Sequence, residues 1–169
     1  MTGSGTLLDP YIIYDVNDLQ AIDADLDAYY EIANDIDATI TNTWNAGAGF
    51  SPIGLAGGSG FNGHVNSLGL YPACVISNLF INRPATDWVG LFRWIGAHNL
   101  PGTVHNIRLE NVNITGNDYV GALAGEVLTF NIVGVDFASD VQDCSSSGTV
   151  TGANRVGGLI GTSSWNPVG

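Results

Sequence analysis

Residues 117–125 read NDYVGALAG, residues 154–161 read NRVGGLIG, and residues 87–96 read DWVGLFRWIG. The Val-Gly pair returns after 31 residues and again after 36, while the residue ahead of the Val changes from Trp88 to Tyr119 to Arg155. In the last two copies a Leu follows the Val by three positions, a spacing that strict strand alternation cannot place on one face. A bend must fall between them, and Gly90, Gly121 and Gly157 stand where it is needed.

The likeness runs beyond this motif. Residues 104–125 (VHNIRLENVNITGNDYVGALAG) match residues 141–161 (VQDCSSSGTVTGANRVGGLIG) with one residue deleted, and residues 75–92 match both with two extra residues near Pro84. This superposition gives Asn78, Asn106 and Asp143 one shared position and Leu79, Ile107 and Cys144 the next. Ile81, Leu109 and Ser146 follow two places later, the period of a short strand with one face buried. A second short stretch, such as Val112 and Ile114, precedes Gly116 or Gly152. Short strands joined by bends and repeated along the chain describe coils stacked in parallel, an all-β, right-handed parallel β-helix.

Before the repeats the chain is different. YIIYDVNDLQAIDADLDAYYEIANDID, from Tyr11, reads as strand, helix and strand, with Asp15 or Asn17 as N-cap and Leu19, Ile22 and Leu26 at helical spacing. Residues 1–50 are therefore expected to form an N-terminal cap and residues 51–169 the β-helix repeats, within one structural domain.

Composition narrows the function. The net charge is −12, there is no Lys, and the cations are Arg83, Arg93, Arg108 and Arg155. Nucleic acid and anionic lipid are excluded as partners, since both draw on clustered Lys and Arg. No run approaches 18 apolar residues, so membrane insertion is not expected. Nine of the 16 acids lie in the first 37 residues, which sets the N-terminal end apart. The start, MTGSGTLLDPY, has neither the basic nor the apolar part of a secretory signal.

The segments GSGTLLDPYIIYDVNDLQAI, YYEIANDID, FSPIG, ISNLFINRP, WVGLF, YVGALAG and VGGLIG resemble the GLUG-motif repeat family. That resemblance covers nearly the whole chain and implies right-handed parallel β-helices of the kind found in bacterial adhesins, surface proteins, protease stalks and phage-like structural proteins. The family's repeats are scaffold, so a private function is expected in the departures from the pattern. These are residues 64–75 (HVNSLGLYPACV), read as an enlarged loop, and residues 130–140 (FNIVGVDFASD), a lengthened connection.

Several residues are candidates for chemistry. Trp88, Tyr119 and Arg155, if the coils stack about 4.8 Å apart, form an outward ladder that either binds a glycan or partner protein or covers itself. Asp35 and Asp37 are the best carboxylate pair for Ca²⁺, although no Asp-x-Asp-x-Asp-Gly loop is present and no cofactor is expected. His64, His98 and His105 fit no metal motif. Asp87 and Asp118 are the acids most readily brought together for polysaccharide cleavage, too little to predict an enzyme. Trp44 and Trp94 read as contact or cap residues, and Cys74 and Cys144 as free thiols two coils apart. Trp165 is expected to lie over the last core layer, thinly, and to meet another subunit.

The leading expectation is a non-catalytic structural protein at a virion surface, such as a phage decoration, fibre or spike subunit, because a signal-like start is lacking. The alternative is an extracellular or cell-surface adhesin or glycan-binding module of a secreted protein. A polysaccharide lyase or hydrolase stands third. The partners expected are further copies of the chain, virion or surface proteins, and a glycan.

Overall fold

A computed structural model describes residues 1–169 apart from 55–58, 68–72, 97–99, 133–134 and 169. The chain is a β-solenoid of about three turns. Its first face is built from Tyr11–Ile13, Tyr29–Ile32, His64–Ser67, Thr103–His105 and Asp140–Gln142, side by side and all parallel. The second stacks Ile36–Asp37, Cys74–Ser77, Ile107–Thr115 and Ser145–Thr151, with Phe80–Asn82 beside the later half of Ile107–Thr115. The third stacks Phe92–Ile95, Ala124–Ile132 and Ile160–Val168. Between the second and third faces, Asp118–Val120 pairs with Asn154–Val156. Parallel neighbours require a long crossover, and here each crossover is a trip around the coil. Val135–Ala138, in the lengthened connection, instead folds back antiparallel on Ala124–Ile132.

The inward side chains form columns. Tyr30, Val65 and Val104 follow one another on the first face, and Ile81 and Ile114 on the second, all at 1% exposure or less. Tyr30, Phe61 and Phe92 fill the middle, with ring centroids 6.3 and 4.9 Å apart along that series. In Ile107–Thr115 the buried residues are Ile107, Leu109, Val112 and Ile114, so the spacing slips from two to three at its centre. Asn111, in the left-handed region at φ 53°, absorbs the extra residue. Asn78, Asn106 and Asp143 adopt the same backbone at other corners, a conformation that Asn and Asp enter more cheaply than most residues.

The register corrects part of the expected superposition. Ile107 does stand between Cys74 and Cys144, and Asn106 precedes it in line with Asp143. Asn78, however, lies beside Asn111, donating Nδ2–H to Asp37 and accepting from Asn111 at 2.7 Å. Leu79 and Ile81 accordingly align with Val112 and Ile114 rather than with Ile107 and Leu109. Cys74, read as part of an enlarged loop, begins a strand and is buried in a core column; the loop proper, 68–72, lies outside the described residues. The two cysteines are not joined by a disulfide, Ile107 standing between them.

The first 50 residues supply a helix and also the opening strands of two faces. The helix Val16–Ala21 is capped by Asp15, whose carboxylate accepts from the N–H groups of Asn17 and Asp18. Those donors hold the Asp15 pKa below its ordinary value. Val16, Leu19 and Ile22 turn into the core, and Gln20 bonds the backbone of Ser51 in both directions at 2.9 Å. Among the described residues no helix is long and apolar enough to cross a membrane.

Candidate functional site

At the corner before each Val of the repeat, Trp88, Tyr119 and Arg155 have φ of 56, 55 and 49°. Val89, Val120 and Val156 follow one another in parallel register, which brings the three preceding side chains onto one outward line. Trp88 and Tyr119 stack with centroids 4.8 Å apart and planes within 11°, and the Arg155 guanidinium lies 4.3 Å from the Tyr119 centroid. Arg93 approaches Trp88 and Trp94, and Trp94 meets Trp88 edge-on. The Trp88 indole donates to Glu126 at 2.7 Å, and Arg155 pairs with Asp118 at 2.6 Å.

Left-handed backbone is costly for bulky side chains, about 1–2 kcal/mol each. The motif's glycines make it feasible. A Cβ on Gly125 would lie 2.7 Å from the Trp88 Cα and from the Tyr119 carbonyl, and one on Gly161 2.6 Å from the Val120 N. The last Gly of VGALAG and of VGGLIG thus lets the returning strand touch the corner's backbone.

The ladder's ring faces are turned toward one another and toward Arg155, so it offers a ligand ring edges and a guanidinium rather than an open aromatic plane. This geometry predicts a clamp between coils. Tyr119→Ala is expected to lower stability by about 2 kcal/mol, and Tyr119→Asn by about half of that, since Asn tolerates the left-handed backbone. Denaturant midpoints for the two variants check this; an unchanged midpoint for Tyr119→Ala would mean that the stack contributes no clamp.

The other candidates disperse. Asp35 accepts from the Val75 N–H at 2.8 Å, while Asp37 accepts from Thr39 and from Asn78, which lowers its pKa, the Thr39 hydroxyl being the leading cause. Among the described residues no group of three His, Cys, Asp or Glu converges as metal ligands would. Asp87 and Asp118 do sit on adjacent coils, where Asp87 Oδ1 accepts from Asn117 Nδ2 and from the Asp118 N–H. His64 and His105 come together at 5.8 Å on the first face, with His105 Nε2 2.9 Å from Asp140 but out of hydrogen-bond alignment. Burial, then the neighbouring His105, lowers the His64 pKa. His98 lies outside the described residues.

Two further features stand out, the first expected in part from the thin cover after VGGLIG and the second not expected. The C-terminal coil is open: Val156 is 43% exposed where Val89 and Val120 are fully buried, and Cys144, Val150, Leu159 and Ile160 are only half-buried. Its inward residues also shrink, Ser146 standing over Leu109 and Gly148 over Val112. The resulting hollow, about 260 Å³, is lined by Val112, Ser146, Gly148, Val150 and Val156 among others. Trp165, expected over this layer, instead extends in a strand beside Thr129 and is 60% exposed. The second feature is a cleft of about 420 Å³ lined by Gln20, Asp23, Trp44, Asn45 and Ser51. Trp44, read as a contact residue, forms part of its wall.

No family model matches the chain. Halomucin of Haloquadratum walsbyi is 41% identical over 174 residues, which cover 99% of this chain and 2% of that protein. A protein of Evansella cellulosilytica named as a Gly-rich membrane protein is 29% identical over 197 residues, covering 97% of this chain and 21% of its own length. The chain therefore spans a small part of both relatives. A solved structure described as an immunoglobulin A1 protease from Bacteroides ovatus aligns over 98% of this chain and 66% of its own, at 17% identity and a TM-score of 0.46, which carries no functional argument.

Proposed function

We propose that this chain is a non-catalytic structural module of an extracellular or cell-surface protein, and that its C-terminal coil joins it to a neighbouring β-coil. The observation that carries this reading is the open last layer. Among the described residues, Ser145–Thr151, Asn154–Val156 and Ile160–Val168 each pair on one side only, with the coil below. An unpaired parallel edge with half-exposed core residues behind it is a template for another strand. Charge permits the approach: residues 144–165 carry one charged group, Arg155, in a chain of net −12.

Matches to small parts of longer proteins, one of them named as a membrane protein, support a module at a surface. The repeats resembling GLUG motifs agree with scaffold rather than catalysis. Neither relative's name offers support for a virion component, so the adhesin-like alternative is preferred to it. The two acids weighed for glycan cleavage, Asp87 and Asp118, are occupied by amide and guanidinium donors, which favours a structural part over that chemistry.

The test is light scattering on the purified chain in moderate salt, where repulsion between acidic ends is screened. An assembly is expected, dissolved by Val156→Glu and weakened by Trp165→Ser. Both positions are already exposed, so either variant should fold. A monodisperse monomer across the accessible concentration range would defeat end-to-end joining.

A further inference from the structure

We propose that the cleft between the helix Val16–Ala21 and the turn around Trp44 binds a neutral saccharide. This goes beyond the structural reading, since a stack of coils needs no ligand at its capped end.

Trp44 supplies the platform. Its indole is stacked against Phe50, with centroids 6.2 Å apart and planes within 20°, and Phe50 is fully buried. The ring is thereby fixed to the core while it forms one wall of the cleft, and it is half-buried. Sugar rings present a flat C–H face that packs on such a plane, and hydroxyls at the rim that need acceptors and donors. The remaining lining residues provide both. Asp23 Oδ1 accepts from the Gly54 N–H at 2.7 Å, and a carboxylate has acceptor capacity beyond one such bond. Gln20 is held in place by its paired bonds to Ser51, and Asn45 by its bond to the Gly49 carbonyl at 2.8 Å. The polar groups around the indole are thus positioned before any ligand arrives, which favours binding.

The backbone supports the same assignment. Asn45 and Ala46 are consecutive left-handed residues, at φ 52 and 55°. Ala gains no side-chain bond in that conformation, so the turn is strained, and strain of this kind collects at ligand-binding segments. Here it brings the chain from Trp44 back to the buried Phe50 within six residues. Trp88 and Tyr119, by contrast, cover each other's faces. The charge of the chain selects among sugars: Asp23 in the cleft and a net −12 disfavour uronic and sulfated saccharides.

The experiment is an array of neutral hexose and N-acetylhexosamine oligomers, with uronic and sulfated oligomers beside them, probed with the purified chain and followed by fluorescence titration. Binding to a neutral oligomer and not to the acidic ones is expected. Trp44→Leu, which retains apolar contact with Phe50, should weaken it at least roughly tenfold. Asp23→Asn keeps an acceptor for the Gly54 N–H and should also weaken it, which decides the matter if Trp44→Leu does not fold. Three results would overturn the proposal: no neutral oligomer bound, affinity retained in Asp23→Asn and in folded Trp44→Leu, or binding removed by Tyr119→Asn while Trp44→Leu keeps it.

Discussion

Gly121→Ala is expected to destabilise the chain by about 3 kcal/mol or more, whereas Gly158→Ala, one coil later at the position where the preceding copy already has Ala122, should change stability by less than about 0.5 kcal/mol. The difference comes from what the new methyl would meet. At Gly121 it would lie 2.3 Å from the Ala124 carbonyl oxygen, 2.6 Å from the Gly161 N and 2.8 Å from the Ile160 Cα, all backbone atoms of this coil and the next. Backbone cannot swing aside as a side-chain tip can, so the two coils would have to separate at the ladder corner. Nothing lies within 4 Å of the corresponding position on Gly158. Urea midpoints of the two variants against the unmodified chain measure the contrast. Equal midpoints would mean that the corner yields freely and that the motif's first Gly has no packing role.

Phe92→Ala should cost about 4 kcal/mol. Phe92 is fully buried, 4.9 Å from the Phe61 ring, and its register partner on the following coil is Ala124. A large ring therefore stands beside a small residue, and removing it leaves a space that neither Ala124 nor the hydrogen-bonded backbone can close. Poor collapse puts the cost toward the upper part of the usual range for large-to-small changes. Leu100→Ala, at a residue 52% exposed, should be nearly silent in the same denaturation series. A loss below about 1 kcal/mol for Phe92→Ala would show that the coils can close on each other and that their spacing is not fixed by the parallel ladders.

The solenoid was legible because each coil repeats its inward pattern, and the Trp88, Tyr119 and Arg155 ladder because the Val-Gly pair anchors it without ambiguity. Asn78 was misplaced for a physical reason. Over residues 106–114 the chain meets the same problem twice, and both Asn106 and Asn111 are left-handed residues followed by an inward apolar side chain. Asn106-Ile107-Arg108-Leu109 and Asn111-Val112-Asn113-Ile114 are therefore alike as strings, and Asn78-Leu79-Phe80-Ile81 fits either. Only the hydrogen bonds, such as Asn113 N–H to the Leu79 carbonyl, choose between them. The Trp44 cleft leaves no such trace, because its walls come from a helix, a turn and a strand approach that share no spacing in the chain. The open end was half legible: the thin cover after VGGLIG was visible, but not that Trp165 would continue a strand instead of turning across it.

The crowding of acids into the opening 37 residues, set against an end with almost no charge, makes the solenoid an electrically polar rod. Two such rods brought side by side repel at their acidic heads and hardly at all at their tails, so a crowd of them would splay like a fan, tails inward. In an external field the same imbalance puts a torque on these coils, set by the distance between the acidic turns and the nearly neutral ones. An orienting preference is thereby written into where the carboxylates fall along the axis, before any contact is made.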